Sequence, residues 1–250
     1  MNKRKRILIT GATSGIGFML ALQLQKDGHE VYATGRNTNA LDQLEKQGVH
    51  VLVADLTTET AYGNLFEKVE TPDVVILNAG VGTFAYLTDL KEEQIDQMLS
   101  VNVKAPIMLT NYFAKLMKER NSGHFIIVAS QAGKVATPKA SAYAATKHAI
   151  IGFANAARME LKEYGIHVST INPGPIDTPF LDLADQTGGY REKMSKHLLS
   201  PQNVVDAIKK VIDKPVREVD LPFYMSFTSK LYAVFPKTVE LLGKSFFNKK

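Results

Sequence analysis

The segment Thr10-Gly11-Ala12-Thr13-Ser14-Gly15-Ile16-Gly17 sits between a short apolar, β-branched run and a helical pattern. Its glycines suit the binding of a phosphate. Gly11 permits a sharp turn, Gly15 lets the backbone approach a pyrophosphate, and Gly17 lets a helix pack closely on a sheet. The unpaired N–H groups at a helix start, with the helix dipole, favour an anion. A glycine-rich turn alone would be ordinary; the strand–turn–helix context points to a nucleotide. In dinucleotide sites an acidic residue about 20 positions further on holds the ribose 2′-hydroxyl of NAD. Here the corresponding stretch is Ala33-Thr34-Gly35-Arg36-Asn37, with no carboxylate. Arg36 would attract a 2′-phosphate through charge-assisted hydrogen bonds, so the expected cofactor is NADP(H) in preference to NAD(H). The competing reading is Arg36 as a solvated loop residue.

A second set of polar residues accompanies this turn. Tyr143 and Lys147 are four apart in an Ala-rich helical stretch, so they share one face. Such pairs are common on protein surfaces, and this one gains weight from its companions. Ser130 ends an apolar strand, Asn102 lies in the long helical stretch before that strand, and Asn78-Ala79-Gly80 ends another. Ligands of open parallel sheets bind at the carboxyl ends of strands.

The elements that must position these residues alternate nearly from end to end. Strands are expected at Ile7–Thr10, His29–Thr34, Val49–Ala54, Asp73–Leu77, His124–Ala129, His167–Ile171 and Arg217–Phe223. Helices are expected at Ile16–Lys26, Asn39–Gln47, Thr60–Val69, Lys91–Glu119, Ala140–Tyr164 and Pro201–Ile212, with Ser200 as an N-cap. Pro106 should kink or break the long fourth helix. Strands joined by helical crossovers imply right-handed βαβ units and an α/β, doubly wound parallel sheet. With 250 residues, no internal repeat and no linker, residues 1–250 form one domain. Asp177–Leu199 lacks a period, carries Gly188-Gly189, and is expected to be a mobile loop.

In this order and at these spacings the residues resemble the short-chain dehydrogenase/reductase family over nearly the whole chain. The match comprises Thr10–Gly17, Asp55-Leu56, Asn78-Ala79-Gly80, Asn102 in Ser100-Val101-Asn102-Val103, Ser130, Tyr143-x-x-x-Lys147, and Pro173-Gly174 with Thr178. The resemblance implies a Rossmann-like sheet of about seven strands in the order 3-2-1-4-5-6-7, with helices on both faces. It implies hydride transfer between nicotinamide and a carbonyl/alcohol pair. Tyr143 would be the general acid/base, with the Lys147 ammonium lowering its pKa and binding the nicotinamide ribose. Ser130 would polarise the substrate oxygen, and Asn102 would hold a water linking Lys147 to solvent. Gly11, Thr13, Ser14, Gly15, Ile16 and Gly17 would form the phosphate turn, and Asp55 and Leu56 would lie by the adenine. Asn78, Ala79 and Gly80 would line the adenosine side, and Pro173, Gly174, Ile176 and Thr178 the nicotinamide end. Two positions depart from the common pattern. Leu77 stands where an asparagine often precedes Asn-Ala-Gly, and Ser14 stands where many NADP-preferring members carry a basic residue. Family members form homodimers or homotetramers through two long helices, here near Val101–Lys118 and Ala140–Glu163.

Substrate choice is expected from Val81–Leu87, Gln131–Ala140 and the loop at about 177–199. Phe84, Tyr86, Val135, Phe180, Leu181, Leu183 and Tyr190 there suggest a lipophilic carbonyl. The apolar extension at about 221–250, ending in Phe246-Phe247 and Lys249-Lys250, has three readings: a cover over the site, a subunit interface, or a membrane-surface contact. The first two rank above the third. The chain has no cysteine, which excludes disulfides and thiolate sites and fits a cytoplasmic location. Its net charge of +5 does not by itself point to nucleic acid. The cluster Lys3-Arg4-Lys5-Arg6 reads as a solvated tail, ahead of weak contact with an acidic membrane. Six scattered histidines show no metal spacing, and no nucleophile elbow or Walker motif occurs. A non-catalytic NADP(H)-binding redox sensor is the alternative from another class, and the intact Tyr/Lys/Ser/Asn set weighs against it. An epimerase or dehydratase acting on a nucleotide-sugar is disfavoured by the short stretch after the sixth strand.

Overall fold

The computed structural model describes residues 4–185 and 187–242. In chain order the elements are β1 (Arg6–Thr10), α1 (Gly15–Lys26), β2 (Glu30–Gly35), α2 (Thr38–Glu45), β3 (His50–Val53), α3 (Glu59–Lys68), β4 (Val74–Leu77), α4 (Glu92–Leu99), α5 (Ala105–Glu119), β5 (Gly123–Val128), α6 (Ser141–Leu161), β6 (Ile166–Pro173), α7 (Pro179–Ala184), α8 (Gly189–Met194), α9 (Pro201–Asp213), β7 (Glu218–Leu221), α10 (Tyr224–Val234) and α11 (Pro236–Leu242). The strands pair in parallel in the order β3-β2-β1-β4-β5-β6-β7, as expected.

Period-2 alternation explains why the strands read as continuous apolar runs. Ile7, Ile9, Val74 and Ile76 enter one core, shared with α1, α2 and α9. Leu8, Val75 and Leu77 enter the other, shared with α3, α5 and α6. Both faces are therefore covered, so the middle of a central strand such as β1 or β4 is apolar at every position. Each such Leu or Ile contributes about 1.5–3 kcal/mol on burial. The chain winds outward in opposite directions from β1 and β4. Their carboxyl ends flank the crevice where the sheet order reverses.

Three local readings of the sequence need correction. The break expected at Pro106 falls one turn earlier, as a π-helical turn over Ser100–Lys104. The Ala105 N–H donates to the Ser100 carbonyl, five residues back. Pro106 has no N–H to give the Asn102 carbonyl, so the wide turn absorbs the mismatch and contains Asn102. The segment 177–199 is built from α7, α8 and a 3-10 turn at Ser195–His197, where no period was visible. Its ends are tied by Asp177 N–H to the Leu199 carbonyl at 3.0 Å and Leu199 N–H to the Pro175 carbonyl at 2.8 Å. Arg191 adds contacts to Asp182 at 2.8 Å, to the Thr178 carbonyl at 2.7 Å, and to Asp177. Helices of six residues are too short to show periodicity; these contacts hold them. Finally, the basic cluster is not simply a tail. Arg6 lies in β1 and pairs with Glu30 at 3.2 Å and Glu70 at 2.7 Å, while Lys5 donates to the Ile212 carbonyl at 2.8 Å. Arg4 stays largely exposed, and Lys3 lies outside the described residues.

Candidate active site

A cavity of about 660 Å³ opens at the carboxyl ends of the strands. Gly11, Thr13, Ser14, Gly15 and Ile16 form one wall. Gly11 (φ +66°) and Gly15 (φ +52°) adopt left-handed backbone that other residues rarely take. Ser14 holds the N-cap position of α1, yet its side chain makes no cap hydrogen bond. The first N–H groups of the helix are thus left to an incoming acceptor. Gly17 lies one layer behind the wall, against the Gly11 carbonyl and Asn78.

Arg36, Asp55 and Leu56 lie at the rim of this wall, with Arg36 exposed. The Thr57 N–H (3.0 Å) and hydroxyl (2.9 Å) donate to the Asp55 carboxylate. Together with the Arg36 charge they hold Asp55 below the usual carboxylate range. At the end of β4, Asn78, Ala79 and Gly80 continue the wall. The Asn78 amide donates to the Thr10 and Gly11 carbonyls at 3.1 Å each, locking the β4 end to the glycine turn.

The opposite wall carries Ser130, Tyr143 and Lys147. Tyr143 and Lys147 are 8% and 5% exposed, and the ammonium lies 5.7 Å from the phenol ring centroid while donating to the Val128 carbonyl at 3.1 Å. The Ser130 hydroxyl accepts from Ala132 N–H at 3.0 Å and is hydrogen-bonded to the phenol. Burial pushes the Tyr143 phenol up to about 12, and the Ser130 hydrogen bond pulls less strongly the other way. Burial also pushes the Lys147 ammonium down to about 8. Burial, with the Ser130 hydrogen bond opposing it, sets the phenol; Lys147, 5.7 Å from the ring centroid, does not figure in its shift.

Asn102 does not line the cavity. Its side chain accepts from Val81 N–H at 2.9 Å and donates to the Val81 carbonyl at 2.8 Å and the Thr146 hydroxyl at 3.0 Å. Thr146 in turn donates to the Tyr143 carbonyl at 2.8 Å. Asn102 thus braces the segment after β4 against α6, directly behind Gly80.

Pro173, Gly174, Ile176 and Thr178 complete the cavity beyond β6. Of the residues expected to shape substrate choice, Phe84, Val135, Phe180, Leu181, Leu183 and Tyr190 line it. Tyr86 does not; it is 57% exposed beneath the Lys139 ammonium. Phe84 packs edge-on to Tyr143 at 5.8 Å and Tyr190 at 5.1 Å, so aromatic rings surround the phenol. Met194 and His197, in the segment expected to set substrate choice, and Tyr224, Met225, Thr228, Tyr232 and Val239, in the apolar extension, also line the cavity, so the extension borders the site as the cover reading has it. Tyr224, Thr228 and Tyr232 recur every fourth residue, a helical signal in a stretch read only as apolar. A buried anchor was missed. Asp220 accepts from Gln131 at 2.8 Å, Lys134 at 2.7 Å and Asn172 at 3.1 Å, tying the turn after Ser130 to β6 and β7. Burial alone would raise its carboxyl; those donors keep it below the usual range.

A turn that leaves helix N–H groups open, facing a buried Tyr/Lys pair on a parallel sheet, defines a class. Residues 5–187 match the short chain dehydrogenase family model, and the chain belongs to the short-chain dehydrogenase/reductase family of oxidoreductases. It is 34% identical over 221 residues to an uncharacterised short-chain type dehydrogenase/reductase of Sinorhizobium fredii, covering 86% of this chain and 88% of that one. It is 32% identical over 216 residues to an uncharacterised oxidoreductase of Escherichia coli K12, covering 82% and 80%. Among solved structures, the closed form of serine dehydrogenase complexed with NADP+ superposes with a TM-score of 0.81 at 25% identity, covering 86% and 93%. 4-Hydroxyisoleucine dehydrogenase complexed with NADH superposes at 0.78 and 28% identity, covering 89% and 98%.

Proposed function

We propose that the protein is an NADP(H)-dependent oxidoreductase that moves a hydride between nicotinamide and a carbonyl or secondary alcohol of a lipophilic substrate. One observation carries this reading: Tyr143 and Lys147 stand buried on one helix face, across a single cavity from an uncapped glycine turn. The residues fit the cofactor. The turn offers N–H groups to a pyrophosphate, Arg36 at the rim offers a guanidinium to a 2′-phosphate, and Asp55, Leu56, Asn78, Ala79 and Gly80 flank the space between. Pro173, Gly174, Ile176 and Thr178 border the nicotinamide end. When bound, the cofactor supplies or accepts the hydride. Ser130 orients the substrate oxygen, and Tyr143 gives it a proton in reduction or takes one in oxidation. Lys147 holds ribose hydroxyls and favours phenolate when the proton leaves. Asn102 fixes α6 relative to the β4 end. Exposed Met108 on α5 and Met159 on α6 suit a homodimer or homotetramer through these helices.

The primary test is oxidation of NADPH against a panel of ketones, aldehydes and 3-oxoacyl compounds, with NADH as comparison. Turnover with NADPH above NADH supports the reading. Binding of NADPH without turnover on any of them favours a redox sensor. Arg36→Asp removes one charge-assisted partner of the 2′-phosphate and adds a repulsive one. It is expected to raise KM for NADPH by about a hundredfold while leaving KM for NADH nearly unchanged. Equal KM changes for both cofactors would remove Arg36 from the 2′-phosphate site.

The pH dependence follows from the phenol. Reduction needs Tyr143 protonated, and burial holds it so up to about 12. Carbonyl reduction should therefore show no rise on going from neutral to alkaline pH. Alcohol oxidation needs the phenolate, so its rate should climb over that range. The climb flattens as Lys147, held at about 8, loses the charge that favours phenolate. Initial rates in both directions against pH check this, and reduction that climbs with pH contradicts it.

A further inference from the structure

Tyr224, Met225, Thr228 and Tyr232 on α10 line the cavity, whereas another side of the helix is exposed among the described residues. Phe223 (86% exposed), Phe227 (71%), Leu231 (41%) and Val234 (67%) fall at i, i+4, i+8 and i+11, one continuous apolar stripe. Phe235, at the end of α10, and Leu241 and Leu242 on α11 are exposed as well, at 56%, 75% and 81%. The sequence of this stretch is basic. Lys230, Lys237, Lys244, Lys249 and Lys250 stand against Glu240 alone, giving residues 223–250 a net +4 of the chain's +5. The last three of those lysines lie outside the described residues. The Glu240 carboxylate is engaged by the Tyr232 hydroxyl at 3.0 Å.

We propose that the outer face of α10 and α11 docks on an anionic lipid bilayer, lying in the interface with its phenylalanines inserted. An apolar helical stripe flanked by lysines matches the acyl/headgroup boundary of such a bilayer. A second copy of the chain fits poorly, because it would bring together two chain stretches that each carry a net +4 in sequence over residues 223–250. Tyr224, Met225, Thr228 and Tyr232 of the same helix line the cavity. A lipophilic substrate can pass from bilayer to Tyr143 along α10 with little exposure to water. This delivery step rests on the reductase reading above; the docking itself does not.

Co-sedimentation of the full chain with phosphatidylcholine vesicles, with and without phosphatidylglycerol, tests the docking. Binding is expected with phosphatidylglycerol and should be released by salt. Phe223→Ser/Phe227→Ser should lower partitioning about tenfold or more. Both side chains are exposed, so the fold and turnover of a water-soluble carbonyl should persist in that variant. Lys230→Glu/Lys237→Glu should abolish the preference for phosphatidylglycerol. No sedimentation with anionic vesicles, or wild-type binding by both variants, overturns the proposal. So does a dimer in solution that the double serine variant converts to monomer, which assigns the face to a second copy. The hydride chemistry is read separately, by turnover of the soluble carbonyl without vesicles.

Discussion

Tyr143→Phe is expected to lower NADPH-dependent turnover by about a thousandfold, with NADPH binding and thermal stability nearly unchanged. The substitution removes one oxygen and keeps the ring. That ring is 8% exposed and packed by Phe84 and Phe180 at 5.8 Å each, so no cavity opens. Ser130 keeps its partner at Ala132 N–H, so the turn beneath it stays in place. What is lost is the proton. Phe84 and Phe180, the rings packed directly on it, offer none. The comparison requires kcat, NADPH titration by fluorescence, and a melting curve on the same preparation. Turnover surviving in the variant would place the acid elsewhere. Loss of NADPH binding along with turnover would show that the residue holds the cofactor and would leave its proton role unsupported.

The second large effect is expected at Gly17. A Cβ there would lie 2.3 Å from the Gly11 carbonyl oxygen and 2.6 Å from the Asn78 amide nitrogen. Neither neighbour can yield freely, because that amide also holds the Thr10 and Gly11 carbonyls at 3.1 Å. Gly17→Ala must push α1 off the sheet or distort the turn, at a cost of about 3 kcal/mol. Since the same turn presents the helix N–H groups, NADPH affinity should fall by about a hundredfold as well. Melting temperature and NADPH titration read the two effects. Gly63→Ala is the control: its Cβ would meet nothing within 4 Å, and in a helix it should be neutral or slightly stabilising. A Gly17→Ala protein that melts and binds like wild type would mean that the close approach of α1 to β1 is not required.

Much of this molecule was legible because the governing signals are local and periodic. β-Branched runs such as Val74–Leu77 announce strands covered on both faces, and the spacing of Tyr143 and Lys147 announces a shared helix face. The strand order came from likeness of motif, since pairing over long separations leaves no local mark. What stayed hidden depends on contacts between distant segments. Pro106 signals a missing donor, but it does not say that the helix will widen upstream around Asn102. The short helices α7 and α8 depend on Arg191 reaching Asp177 and Asp182, which no window of sequence displays. Arg6 looked like part of a tail because its partners Glu30 and Glu70 arrive from elsewhere. Lys147 looked like the dominant influence on the phenol because burial, which raises it, is a property of the folded cavity.

Tyr143 and Lys147 come from one helix packed on the sheet, whereas the chamber facing them is built largely by α7, α8, α10 and α11, all late in the chain, with Phe84 and Val135 as earlier contributors. The machinery for moving a proton is thereby insulated from the surfaces that choose what receives it. Substitutions in the late segments can reshape the chamber for a new molecule while the spacing within α6 stays as it was. The scaffold is in this sense modular around one sheet: the α6 side keeps the chemistry constant, and the late segments are free to vary.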